Sequence, residues 1–210
     1  TAATMSASFD DVLEQSPEAV DAFLETFSDF IVPFSVLFKT VRNKTADLLQ
    51  VFCKRRGPAV VRCTALDGDT LLHVAAEEGC SACVAALLDV KANPNASNSS
   101  QDRPLDRAIV FDHKPVVELL LDRRADVHYR SMEDFSPLMW ATLYGTVSMV
   151  KLLLDRGAVV AHRTPVHTPL THAVNSSARM TELLLQRKAC VNSHGYAAQA
   201  ETPLWHAFHL

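Results

Sequence analysis

"SPLMWATLYG", residues 136–145, is one copy of a pattern that recurs along this chain of 210 residues. The copies read DGDTLLHVAAEEG (67–79), QDRPLDRAIVFD (101–112), DFSPLMWATLYG (134–145), VHTPLTHAVNSS (166–177) and ETPLWHAF (201–208). Their aligned residues Thr70, Arg103, Ser136, Thr168 and Thr202 lie 33, 33, 32 and 34 apart. Half a period later a second pattern follows: CVAALLDVKANPN (83–95), VVELLLDRRADVH (116–128), MVKLLLDRGAVVA (149–161) and MTELLLQRKACVN (180–192). Two half-patterns locked to one period mean a solenoid, in which each unit buries its apolar face only against its neighbours.

The residues fit that reading one by one. Thr70 and Thr168 are suited to cap the helix that follows. Pro137, Pro169 and Pro203 stand at the first helical position, where a missing N–H costs nothing. Leu72, Leu105, Leu138, Leu170 and Leu204 recur as core anchors, and Ala75, Ala108, Ala141, Ala173 and Ala207 allow close helix approach. The Leu pairs 87–88, 120–121, 153–154 and 184–185 put apolar side chains on one face of the second helix.

With its T-P-L-H-x-A core and period near 33, the chain resembles the ankyrin-repeat family from residue 65 to 210. The resemblance implies an all-α, ankyrin-repeat helical solenoid with short hairpin loops. The boundaries fall near 65–98, 99–131, 132–164 and 165–197, with a partial repeat over 198–210. There are departures. The motif's His survives only as His73, against Asp106, Met139, Thr171 and Trp205, so the inter-repeat bonds the family draws from it are in question. The Gly ending the second helix is kept only as Gly157; Lys91, Arg124 and Lys188 must bear a left-handed conformation there. "NSSARM" is one residue short between its helices.

Residues 1–62 lack the repeat and are read as a helical N-terminal arm and cap. Ser16, Pro17 and Glu18 predict a helix from 17 to about 31. Phe23, Phe27, Phe30, Phe34 and Phe38 step by 4, 3, 4 and 4 along one helical face, kinked or divided at Pro33. Thr45 can cap a further helix, ADLLQVFCKRR, ending at Gly57-Pro58. The Phe stripe either closes the solenoid's end or docks on another protein or a membrane surface.

Bulk properties exclude several classes of function. Apolar residues make up 48% and charged residues 21%, which is globular composition. A net charge of −4 and short cationic runs leave no footprint for nucleic acid. No stretch has the length of a membrane span; FIVPFSVLF (30–38) is the nearest and Pro33 breaks it, so membrane contact would be peripheral or indirect. Five scattered cysteines point to a reducing intracellular compartment, cytoplasm or organelle. A start at Thr1 fits a processed product or a fragment.

The chemistry-bearing groups are sparse. CSAC (80–83) is a CxxC that Cys53, Cys63 or His73 could complete as a zinc set, and nine histidines invite a catalytic reading. Neither has a second CxxC, a nucleophile elbow or a Gly-rich phosphate loop beside it. The expectation is no enzyme, no metal, no cofactor and no small-molecule substrate.

In the ankyrin family, the hairpin tips and the exposed side of each first helix line a concave groove that binds proteins. The matching positions are Val74, Glu77 and Glu78; Arg107, Val110 and Phe111; Trp140, Leu143 and Tyr144; and His172, Asn175 and Ser176. The middle two sets are apolar and aromatic, the composition of binding anchors. Arg107, Val110, Phe111, Trp140, Leu143, Tyr144, His172 and Tyr129 are therefore the expected partner-binding residues, unless the hairpin over 129–134 covers the aromatics. The resulting expectation is a non-catalytic interaction module or scaffold, an accessory subunit of a large assembly or else a free adaptor.

Overall fold

The computed structural model describes residues 16–26, 32–131, 134–161, 168–192 and 202–203. Among them the chain forms helices joined by turns, with one isolated antiparallel bridge, Thr64–Thr70. In chain order the helices are α1 (Pro17–Thr26), α2 (Phe34–Arg42), α3 (Ala46–Arg62), α4 (Leu71–Glu77), α5 (Ser81–Asp89), α6 (Pro104–Val110), α7 (Lys114–Asp122), α8 (Pro137–Tyr144), α9 (Val147–Asp155), α10 (Pro169–Ser176) and α11 (Ala178–Gln186).

Two rows of helices result. α2, α4, α6, α8 and α10 stack in one row, each on the next; α1, α3, α5 and α7 stack in the other, and α9 packs on α11. Each helix of the first row also packs against its successor in the chain, so every pair closes a layer. The core runs along the seam, through Leu72, Ala75, Leu105, Ala108, Leu138, Ala141, Leu170 and Ala173 on one side and Leu87, Leu120, Leu153 and Leu184 on the other. The recurrent alanines are fully buried at this seam, where a larger side chain would force the rows apart.

Helix starts obey the capping logic. Ser136 Oγ accepts from the Met139 N–H at 3.3 Å and Thr168 Oγ1 from the Thr171 N–H at 3.2 Å. His73 closes the box at Thr70, its Nδ1 accepting from the Thr70 N–H at 3.1 Å. Helix ends also fit: Lys91, Arg124 and Lys188 take the left-handed conformation at φ 69°, 69° and 66°, where Gly157 stands at 89° in its own repeat. The shortened link is real, because Ser177 serves both as the C-cap of α10 and the N-cap of α11.

In the N-terminal third, α3 is two helical segments: the first breaks at Arg56 (φ −131°, ψ 22°), beside the expected end at Gly57-Pro58, and a second runs on to Arg62. A proline is tolerated in the first turn of that second segment. Among the described residues the Phe stripe is divided at Pro33, one of the two outcomes expected. Pro33, extended at φ −60° and ψ 141°, caps α2, so half-buried Phe23 on α1 and half-buried Phe38 on α2 belong to different rows. Phe27, Phe30 and the Phe34 side chain lie outside the described residues. Other residues fill this end: Val20 and Leu24 of α1, Leu37 and Val41 of α2, and Leu49, Phe52 and Val60 of α3 are buried. Finally, the α2–α3 pair stacks on α4–α5 in the way later pairs stack on each other, so the arm contains a layer of the solenoid.

Polar contacts tie layers together. Arg123, Arg156 and Arg187, each at the C-cap of its helix, reach back to Asp89, Asp122 and Asp155 at 2.7, 2.8 and 2.5 Å. Each Asp ends the preceding helix of that row, so the cation neutralises an acid placed at the unfavourable end of a helix dipole. The hairpins also stack: Asn98 Nδ2 donates to Asp69 Oδ1 at 2.7 Å, and Asn95 Oδ1 accepts from the Asp126 N–H at 2.8 Å.

Candidate functional site

The exposed side of the α2, α4, α6, α8 and α10 row decides what the groove offers. Moving along it, α4 presents Glu77 and Glu78, both half-exposed, while Val74 is buried. On α6, Arg107 is already engaged. Its guanidinium lies 3.4 Å from Glu77 and 3.7 Å from Asp69 of the layer before it, and 3.5 Å from Asp102 of its own repeat. Arg107 therefore joins two layers, and its charge is spent within the stack.

The centre of the groove is aromatic. Phe111 is 49% exposed, Tyr144 58% and Leu143 38%, with half-buried Val110 beside them. Phe111 lies nearly parallel to the His113 ring, with centroids 6.3 Å apart. Behind Tyr144 a row of rings continues inward: Trp140 at 5.7 Å, then Phe135 at 5.1 Å from Trp140, then His172 at 6.4 Å from Phe135. Such offset and tilted pairs add stability beyond buried area, and they hold Tyr144 in a fixed orientation.

This arrangement corrects two expectations. Trp140 is half-buried, with Phe135 of its own hairpin against it, and its Nε1 is enclosed without a hydrogen-bond partner. It stacks behind the exposed ring of Tyr144. Tyr129 is 5% exposed, and the Arg103 guanidinium sits 3.9 Å above its ring centre. That cation–π contact seats Tyr129 in the hairpin stack, away from any surface a partner could touch. His172 is half-buried at the inner end of the row, and Asn175 and Ser176 on the last described layer are exposed.

A cleft that the repeat alignment did not reach opens at the other end of the row. It occupies about 730 Å³ between α2 and the hairpin at Thr64–Asp67. The signal for it was the stretch FSVLFKTVR (34–42), whose Lys39 and Arg42 stand three apart, as do Arg107 and Val110; reading 1–62 as an arm hid it.

Among the described residues the cysteines and histidines are not brought together. Cys80 is the N-cap of α5 and accepts from the Cys83 N–H at 3.2 Å; their sulfurs are in disulfide contact, with Cα atoms 5.3 Å apart. Cys53 is buried elsewhere, its thiol pushed up to about 11 by burial and by Asp89. Among the described residues no group of three or more His, Cys, Asp or Glu is placed to hold a metal, and no helix is long and apolar enough to cross a membrane. His73 is committed to structure: its Nε2–H donates to the Asp102 carbonyl at 3.0 Å, and burial lowers its pKa.

Comparison with known proteins agrees with this geometry. The model of the family described as ankyrin repeats (three copies) matches residues 37–131, and that of the single ankyrin repeat matches residues 133–165. The first range begins inside α2, within the stretch read as an arm. Among solved structures, the chain is similar to the ankyrin repeat domain of Bcl-3, described as a unique member of the IkappaB protein family. That likeness has a TM-score of 0.77 at 22% identity, over 93% of this chain and 91% of the other. No curated protein sequence matches the chain.

Proposed function

Since the chain belongs to the ankyrin-repeat family, whose repeats are protein–protein interaction modules, we propose that it binds a protein partner through its aromatic groove. The observation that carries this reading is the exposed set Phe111, Leu143 and Tyr144, on successive helices of one row. Exposed aromatic residues with a polar surround mark interaction surfaces, and Tyr is among the favoured anchors. Here the surround is Glu77 and Glu78 on one side and Asn175 and Ser176 on the other. Rigid presentation of Tyr144 by the rings behind it lowers the ordering cost of binding.

The role is that of a non-catalytic scaffold, an accessory subunit of a larger assembly rather than a free adaptor. An aromatic patch left open to solvent favours the permanent contact, since a lasting interface covers it continuously. Affinity capture with Tyr144→Ala/Leu143→Ala tests the groove: partner recovery falls while the helical circular dichroism and melting temperature stay close to wild type. Unchanged recovery refutes the groove. Gel filtration of a gently solubilised native extract tests the subunit role. Elution with a large complex supports it, and elution near the chain's own 23.1 kDa supports the adaptor instead.

A further inference from the structure

We propose that the cleft between α2 and the first hairpin is a second docking site, for an acidic segment of a protein partner that carries a bulky apolar side chain. Its floor and walls are Phe38 of α2, Ala65 and Leu66 of the hairpin, and the stems of Lys39 and Arg42. The hairpin is a firm wall: the Ala65 N–H donates to the Asp69 carbonyl at 2.8 Å, and Gly68, at φ 82°, donates to the Ala65 carbonyl at 3.0 Å. Leu66, at its tip, is wholly exposed. An exposed leucine and a half-buried phenylalanine lining one cleft of about 730 Å³ give an apolar side chain two surfaces to bury against.

Charge selects the occupant. Lys39 and Arg42 are exposed on the rim, and neither pairs with a carboxylate among the described residues. Arg42 lies 4.9 Å over the Phe38 ring, which places its guanidinium at the edge of the apolar floor. Among the described residues Asp67 is the one carboxylate lining the cleft, and its Oδ1 already accepts the Asp69 N–H at 3.1 Å. Two uncompensated cations around an apolar floor, on a chain of net charge −4, attract an acidic segment and repel a basic one. A flat bilayer would meet Leu66 at the hairpin tip but not the recessed Phe38, so the shape favours a peptide.

This site stands apart from the aromatic groove, and its test keeps the two separate. Fluorescence anisotropy of a labelled peptide, Asp-Glu-Leu-Phe-Asp-Glu, is measured against the full chain. The expected result is saturable binding that weakens with salt, falls about tenfold in Lys39→Glu/Arg42→Glu, and falls likewise in Leu66→Ser. Tyr144→Ala leaves it unchanged. All these side chains are exposed, so the variants keep the wild-type melting temperature, which circular dichroism verifies. Absence of binding to the wild-type chain overturns the proposal. So does equal binding by the charge-reversed variant or by a peptide with Lys in place of its acids. Flotation of the wild-type chain with phosphatidylserine vesicles, without binding of the peptide, overturns it in favour of a lipid surface.

Discussion

His73 reaches out of its own repeat to donate its Nε2–H to the carbonyl of Asp102, 3.0 Å away and 29 residues on. The same position one repeat later is Asp106, which makes only the bond inside its repeat: Oδ2 accepts the Arg103 N–H at 2.9 Å, and Oδ1 is buried with no partner. The contact between these layers is drawn from an imidazole in one case and lost to a short carboxyl in the next.

Asp106 makes stability depend on pH. Burial, against the bond to the Arg103 N–H, pushes its pKa from 3.8 up to about 7. The folded state thus holds a proton that the unfolded chain releases, so the contribution is complete below 3.8 and is lost as pH rises towards 7. Each tenfold difference in proton affinity between the folded and unfolded chain is worth about 1.4 kcal/mol, so a loss on the order of 2 kcal/mol is expected between about pH 5 and 7. His73 has the opposite sign, since its lowered pKa costs stability as pH falls through 6.5. Denaturant unfolding of Asp106→Asn over this range should show the loss on raising pH removed, leaving the decline on acidification.

Gly79 is a second inter-repeat point. It sits at φ 69°, and a Cβ there would lie 2.6 Å from His113 Nδ1, while His113 Nε2 bonds the Glu77 carbonyl at 2.8 Å. Gly79→Ala combines left-handed strain with displacement of that ring, and should cost about 2–3 kcal/mol in chemical unfolding.

Lys91, Arg124 and Lys188 predict the reverse. Each holds a positive φ without being glycine. Arg124→Gly should stabilise by about 1 kcal/mol, because the left-handed strain is removed while the side chain is exposed. The Asn95 Nδ2 bond to its carbonyl, 3.1 Å, is a main-chain contact and survives the change.

Trp140 and Tyr144 should separate stability from binding. Trp140→Ala removes the ring between Phe135 and Tyr144 and should lower stability by about 3 kcal/mol or less, since the residue is only half-buried. Tyr144→Ala should change stability by under about 1 kcal/mol and act on partner affinity instead.

Periodicity made most of the fold legible. The Thr, Pro, Leu and Ala positions of the repeat named their own roles, and the left-handed helix ends could be read from the missing glycines. What failed was the α2–α3 layer. Its helices carry no T-P-L-H start, and the reading weighted the phenylalanines, whereas Leu37, Val41, Leu49 and Phe52 are the buried residues there. The site was legible by position but not by exposure. Tyr144 and Phe111 are exposed among the described residues, while Phe135 came to lie against Trp140 and Arg103 over Tyr129. Arg107 looked like an anchor until two acids from the preceding layer and Asp102 of its own repeat converged on it. Contacts between layers of this kind depend on how hairpins stack, which the spacing of one repeat does not determine.

The most direct test places a photo-crosslinking amino acid at Tyr144 in the groove and, separately, at Leu185, which is 42% exposed on the opposite row. Binding at the aromatic groove predicts a discrete partner adduct from position 144 and none from 185. Adducts from 185 alone would contradict it, because the partner would then sit on the row that lacks the aromatic groove.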